Sequence, residues 1–191
     1  MRFDKGHKQA TRERIVAIAA ARFRRDGVAA TGIAPIMEEA GLTHGGFYAH
    51  FESKEALVRE SLDAALAQTR ARQERAGAAG LSGRIEHYLS PAHRDAPAQG
   101  CAVAALVAEI ARHPEPTRAL LTARLEAIFA RYESQLPAGL PAAARRGRAI
   151  AIFALLLGTL QLARAVSDPA LSSQILHNGI EAAQSLAVSS A

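Results

Sequence analysis

Apolar residues in this chain of 191 residues recur at intervals of three and four, and glycine or proline interrupts them before any run grows long. No stretch shows the period of two that a half-buried strand requires. The composition agrees, with 44 Ala and 20 Leu against 25 Val, Ile and Thr together. Ala and Leu are strong helix formers, whereas the β-branched residues favour strands, so an all-α fold is expected. An apolar share of 49% is too high for a disordered chain, and one cysteine, Cys101, cannot staple a small disulfide scaffold.

Ile15, Ile18, Ala19 and Phe23 line one face of a first helix, which Gly27 stops. A short second helix runs from about Ile33 to Ala40 and ends at Gly41, and a third begins at Thr43, a residue suited to cap a helix start. Ser53 caps a long fourth helix with Leu57, Leu62 and Leu66 on its apolar face, ending around Ala76 to Gly80. Leu81 to Leu89 is short and helical, and Ser90 to Gly100 reads as a polar, proline-containing loop. Cys101 to Arg112 has the composition of a buried helix, stopped by His113 and Pro114. Three more follow: Glu115 to Leu136, Pro141 to about Val166, and Asp168 to near Val188. The total is about nine. Residues 1–52 form a small basic module, the helix from about 53 connects it onward, and 53–191 make a larger helical body.

The stretch from Thr31 to Lys54 carries the functional signal. Two short helices joined at Ala40-Gly41-Leu42-Thr43 match a helix-turn-helix, whose second helix enters the DNA major groove. Gly45 and Gly46 each cost that helix about 1 kcal/mol relative to alanine. Glycine is useful, however, where backbone must approach a phosphate or a base edge. Phe47 and Phe51, four apart, share a face and are assigned to the core. Tyr48 lies about 100° further round, so Thr43, His44, Tyr48 and His50 present polar tips outward, with Lys54 beside them.

In order, the chain reads Thr11-Arg12-Glu13-Arg14-Ile15, Phe23, Gly27, Ala40-Gly41-Leu42-Thr43, Gly46-Phe47-Tyr48-Ala49-His50-Phe51 and Ser53-Lys54-Glu55-Ala56-Leu57. Over these residues it resembles the TetR-type (tetracycline-repressor-like) transcriptional regulators; beyond them the likeness is one of architecture. The resemblance implies that His44, Gly45 and Gly46 approach base edges and that Tyr48, His50 and Lys54 contact phosphate. It also implies that Phe47 is core and that Thr11 and the amino-terminal arm lie near the adjacent backbone. Two features depart from the family pattern. Met37 stands where alanine is usual, and Pro35 lies within the second helix, which is therefore expected to begin at Gly32 or later.

For the body, the resemblance implies a homodimer formed through the last two helices, a palindromic operator, and release of DNA when a small apolar or electrophilic inducer binds. Ile150, Ile152, Phe153, Leu155, Leu156, Leu157, Leu160 and Leu162 put apolar surface on more than one side of one helix, which must then be covered all round. Candidate pocket residues are Tyr88, Cys101, Leu106, Phe129, Tyr132 and Phe153, each of which plain core would also explain. Cys101 stands at a helix start, where the helix dipole favours a reactive thiolate; the alternative is an inert buried thiol.

Charge placement narrows the partners. The formal net charge is +5, yet Met1 to Arg25 hold eight basic and two acidic residues, while the rest of the chain holds 15 and 16. Between Asp26 and Glu52 there are four acids and no lysine or arginine, so attraction to DNA is expected from the arm and fit from the recognition helix. Ile15 to Ala21 is too short and too closely followed by arginine to read as a signal peptide. The longest uncharged run, Ala149 to Ala163, falls below the roughly 18 residues of a membrane span. A soluble cytoplasmic protein is expected, with no membrane partner. Nothing in the spacing of the seven histidines calls for a metal or cofactor, and no catalytic group is assigned. Two rival readings remain: a helical thiol enzyme pairing Cys101 with His87 or His113, which lacks an orienting third group, and an interaction module that uses its basic arm.

Overall fold

A computed structural model of the chain describes residues 5–75 and 80–188. The first four residues of the basic arm, and most of the expected end of the fourth helix at 76–80, lie outside the described residues. Among those described there are nine α-helices, two short 3₁₀ segments and no strand. The helices are α1 (Lys5–Asp26), α2 (Ile33–Glu39), α3 (Lys54–Arg75), α4 (Gly80–Tyr88), α5 (Pro91–Asp95), α6 (Ala102–Ile110), α7 (Glu115–Glu133), α8 (Ala142–Ala165) and α9 (Pro169–Val188).

Two expectations change. Residues 90–100 are not a plain loop: the Ser90 hydroxyl accepts from the His93 N–H at 3.2 Å, and Pro91 occupies the first position of α5, where its missing N–H costs nothing. A 3₁₀ turn, Pro97–Gln99, follows. The third helix is not α-helical but a 3₁₀ segment, His44–Ala49, whose Gly46 N–H bonds the Thr43 carbonyl at 3.0 Å. Paired glycines weaken an α-helix, and a short segment tightens into the three-residue pattern instead.

By compactness the chain divides into two units, one made of the residues up to Thr69 with Ala98–Leu121, the other of Arg70–Pro97 with the residues from Thr122 onward. In the first, α1 buries Ile15, Ala19 and Phe23. It ends at Gly27, whose φ of +85° suits only glycine and whose N–H returns to the Phe23 carbonyl at 2.9 Å. Helix α2 begins at Ile33, so Pro35 sits in the first turn, where no intrahelical bond is lost. Ile36 and Met37 of α2 are fully buried, so the methionine packs as core. Gly41, at φ +69°, makes the reversal to the 3₁₀ segment. Ser53 accepts the Ala56 N–H at 3.1 Å and caps α3, which buries Leu57, Leu62 and Leu66.

In the second unit α8 and α9 form the most extensive helix pair. Ser172 of α9 donates its hydroxyl to the Ala163 carbonyl of α8 at 2.6 Å. Arg164 donates to the carbonyls of His93 and Arg94 at 2.7 and 3.0 Å, tying α5 to α8. Among the described residues α8 alone is long and apolar enough to cross a membrane, with a mean hydropathy of 1.5. Its buried residues, among them Ile152, Phe153, Leu156, Thr159 and Leu160, follow helical spacing, as in the core helix of a packed unit.

Gly179 of α9 is the closest point of that packing, because a Cβ there would overlap the side chain of Thr159. The crossing is therefore overpacked by a single methyl group. Gly179→Ala is expected to destabilise the protein by about 1–3 kcal/mol, read by urea unfolding. Adding Thr159→Ala should recover part of the loss, and strictly additive effects would contradict the contact.

Candidate nucleic-acid interface

The 3₁₀ segment is held by what lies beneath it. Phe47 and Phe51 are buried, at 0% and 2% exposure, with near-parallel rings 5.4 Å apart. Arg12 reaches them from α1: its guanidinium lies 4.3 Å from the centre of the Phe51 ring, donates to the His50 carbonyl and pairs with Glu60 of α3. One side chain thus links α1, the end of the 3₁₀ segment and α3. Sequence reasoning quoted Arg12 within a motif and gave it no role, since a hydrogen bond to a carbonyl 38 positions away leaves no periodic trace.

What faces outward is polar. Thr43, His44 and Gly45 are exposed, and Tyr48 is 65% exposed with its ring edge-on to Phe47 at 5.2 Å. Gly46 and His50 are half-buried. The His50 imidazole is pushed below the ordinary histidine range, first by burial and then by the positive charges of Lys8 and Arg12. Neither glycine is demanded by the fold: a Cβ on Gly45 would meet nothing, and one on Gly46 would rest 3.7 Å from Met37 and Thr43. The bare backbone at Gly45 faces open space, as a close approach by another surface requires.

Two expected residues are placed differently from these. Thr11 is buried, at 7% exposure. Lys54 is half-buried at the start of α3, and its ammonium donates to the Val28 carbonyl at 2.8 Å, leaving two N–H donors for other acceptors. That bond belongs to a grip on the turn after α1. From α6, Glu109 accepts the N–H groups of Val28 and Ala29 at 2.9 Å each, and Thr31 donates to the Gly27 carbonyl at 2.6 Å. A Cβ on Gly27 would lie 2.6 Å from a Glu109 oxygen. Beside the grip is an open cleft of about 400 Å³ that also reaches Glu55, Arg112 and His113. There Glu55 of α3 accepts from the Thr117 hydroxyl at 2.5 Å and pairs with His113 at 2.9 Å, binding α3 to the start of α7. Sequence reasoning treated Glu109 as part of a buried helix and His113 as a stop signal.

The body candidates separate. Phe153 has Tyr88, Phe129 and Tyr132 around it, at ring-centre distances of 6.3, 5.9 and 5.9 Å, all within the second unit. Cys101 and Leu106 belong to the first unit, on α6. Cys101 is the N-cap of that helix, buried at 4% exposure. Among the described residues no three His, Cys, Asp or Glu side chains converge as a metal site requires.

Glu109→Ala removes the acceptor from two backbone donors and is expected to destabilise the protein by about 2 kcal/mol. Amide exchange at Val28 and Ala29 should rise above that of the rest of α1. Glu109→Gln, which keeps an acceptor oxygen, should restore much of the protection; equal exchange in both variants would contradict the grip.

Comparison with known proteins agrees with this geometry. The pattern of the bacterial regulatory proteins of the tetR family matches residues 15–61. The HTH-type transcriptional regulator TtgR of Pseudomonas putida is 43% identical over 63 residues, which are 33% of this chain and 30% of that protein. The likeness in sequence thus spans less than a third of that relative's length. The likeness in fold is wider. A TetR transcriptional regulator from Chloroflexus aurantiacus J-10-FL is 26% identical, with 95% of this chain and 96% of that one covered at a TM-score of 0.77. The reduced form of E. coli NemR is 20% identical, with 95% and 99% covered at a TM-score of 0.75.

Proposed function

We infer, starting from a chain that belongs to the TetR family of transcriptional regulators, that this protein is a cytoplasmic homodimeric repressor released from a palindromic operator by a small-molecule inducer. The observation that carries the reading is the recognition segment itself, a polar outer edge with bare backbone at Gly45, carried on the buried pair Phe47 and Phe51. In this reading His44, Gly45 and Gly46 meet base edges, and Thr43, Tyr48, His50 and the spare donors of Lys54 meet phosphate. Thr11 is buried within α1, next to Arg12. The basic arm adds attraction without sequence preference.

Dimerisation through α8 and α9 is supported by the apolar residues that those helices leave outside the single chain. Leu162 is 60% exposed and Val188 77%, with Ile150, Leu171 and Leu186 also exposed. Apolar surface of this kind, on helices already packed together, suits a second copy of the same pair. A two-fold axis would then set two recognition segments about 34 Å apart, or a multiple of that, on one face of the duplex. The aromatic group around Phe153 is the proposed inducer site, and an inducer acts there by binding one conformation better than the other. Cys101, on α6 in the first unit, is a separate candidate for modification by an electrophile.

Selection of duplexes from a random pool by the full chain is expected to yield a palindrome, with half-site centres one helical turn or a multiple apart. Tyr48→Phe, which removes one hydroxyl from an exposed ring, should weaken binding to the selected duplex several-fold and leave the thermal midpoint unchanged. A pool that returns no preferred sequence would instead point to the basic arm acting alone.

A further inference from the structure

The second unit holds two arginines with buried N–H groups that no acceptor among the described residues meets. Arg84 lies on α4 and Arg131 on α7. The Nε and Nη1 of Arg84 and the Nε of Arg131 are shielded from solvent, and no hydrogen-bond acceptor among the described residues meets them. One further Arg131 nitrogen donates to Gln73, at the end of α3. The Arg131 guanidinium is pushed below the ordinary arginine range, first by its own burial and then by the positive charge of Arg84. Arg70 adds a third positive charge acting on Arg131, and the carboxylate that acts on it, Glu74, is paired with Arg70 at 2.7 Å.

Arginine does not escape such a position by losing its proton. Its N–H groups, taken out of water without acceptors, cost the fold free energy, and two like charges in proximity cost more. An oxyanion reverses both terms, because a carboxylate or phosphate accepts bidentate bonds from the guanidinium fork. The same two helices carry the aromatic group. Tyr88 stands one turn from Arg84 on the same face of α4, and α7, which carries Arg131, also carries Phe129 and Tyr132. Charge and apolar surface therefore come from the same two elements.

We propose that Arg84 and Arg131 form the acid-recognising end of the inducer site, and that the inducer is an amphipathic organic anion, an oxyanion head on an apolar body. The head is held by the two guanidinium groups, and the apolar part lies against the aromatic group around Phe153. This deepens the reading of the protein as a ligand-released repressor and rests on it.

The test uses the full chain and probes of one length: octanoate and octyl phosphate as acids, octan-1-ol and octylamine as controls, and inorganic phosphate alone. Calorimetric titration is expected to give at least tenfold tighter binding for one of the two acids than for octan-1-ol, and weaker binding still for octylamine. The Arg84→Gln/Arg131→Gln variant should bind acid and alcohol alike. Arg131→Met, which removes the half-buried charge and keeps the apolar stem, should raise the thermal midpoint of the free protein and lose the preference for acid. Should the double variant not fold, the comparison of probes on the unaltered protein still decides. Equal binding of acids and alcohol, or an acid preference that survives in Arg131→Met, overturns the proposal, as does inorganic phosphate binding as tightly as octyl phosphate. Release of labelled operator DNA is read separately. An acid that binds through the arginines without releasing DNA leaves the anion site standing and counts against the repressor reading.

Discussion

Six residues of 3₁₀ helix that include two glycines cannot hold their own shape in water, because so short a ladder of hydrogen bonds does not offset the entropy of ordering them. The position of the recognition segment is therefore set from below. Phe47 supplies the anchor by full burial, Phe51 supports its ring, and Arg12 closes the far end by covering the Phe51 face and holding the His50 carbonyl. Met37 fits the same scheme: its buried side chain reaches beneath Gly46 and fills space under the segment. A rigid floor with an unencumbered edge is what a surface that reads another molecule needs.

The same unit ties this floor to helix α6. Glu109 takes both free N–H groups of the turn after α1, Lys54 takes the carbonyl between them, and Gly27 stays bare because the carboxylate occupies the place of a side chain. A shift of α6 along its axis would break two charge-assisted bonds or carry the turn with it. The turn sets the path from α1 into α2, so a displaced Glu109 would disturb that path. Glu55, with His113 and Thr117, binds α3 to the start of α7.

Much of this was legible in sequence wherever one residue's chemistry constrained its own neighbourhood. The stops at Gly27 and Gly41 follow from their positive φ, the start of α3 from the Ser53 cap, and the inward Phe47 and Phe51 from a spacing of four. Thr43, His44 and Tyr48 face outward for the same reason. Local signals fell short at Gly45 and Gly46, where the tighter 3₁₀ pattern replaced an α-helix, and at Ser90-Pro91, where a cap and a proline built a helix inside an expected loop. Long-range partners left no local trace. Arg12 with Glu60 and Glu109 with the turn at Val28 join residues 48 and 81 positions apart, and the charge of Arg84 acts on Arg131 across a similar separation, which periodicity within a helix does not encode. The proposed pocket divided for that reason, with Cys101 and Leu106 on α6 and the aromatic residues in the other unit.

The net charge of +5 then acquires a division of labour. Basic residues cluster in the arm and α1, whereas the recognition segment carries no lysine or arginine and reads by shape and hydrogen bonds. In the proposed function, affinity and specificity thereby reside on different residues. The direct test is the ratio of affinities for the selected operator and a scrambled duplex, measured at one salt concentration for the unaltered protein and for His44→Ala. The account predicts that the ratio falls about tenfold, through loss at one base position in each half-site, while affinity for the scrambled duplex is unchanged. An equal loss on both duplexes would contradict it, since His44 would then contribute attraction rather than recognition.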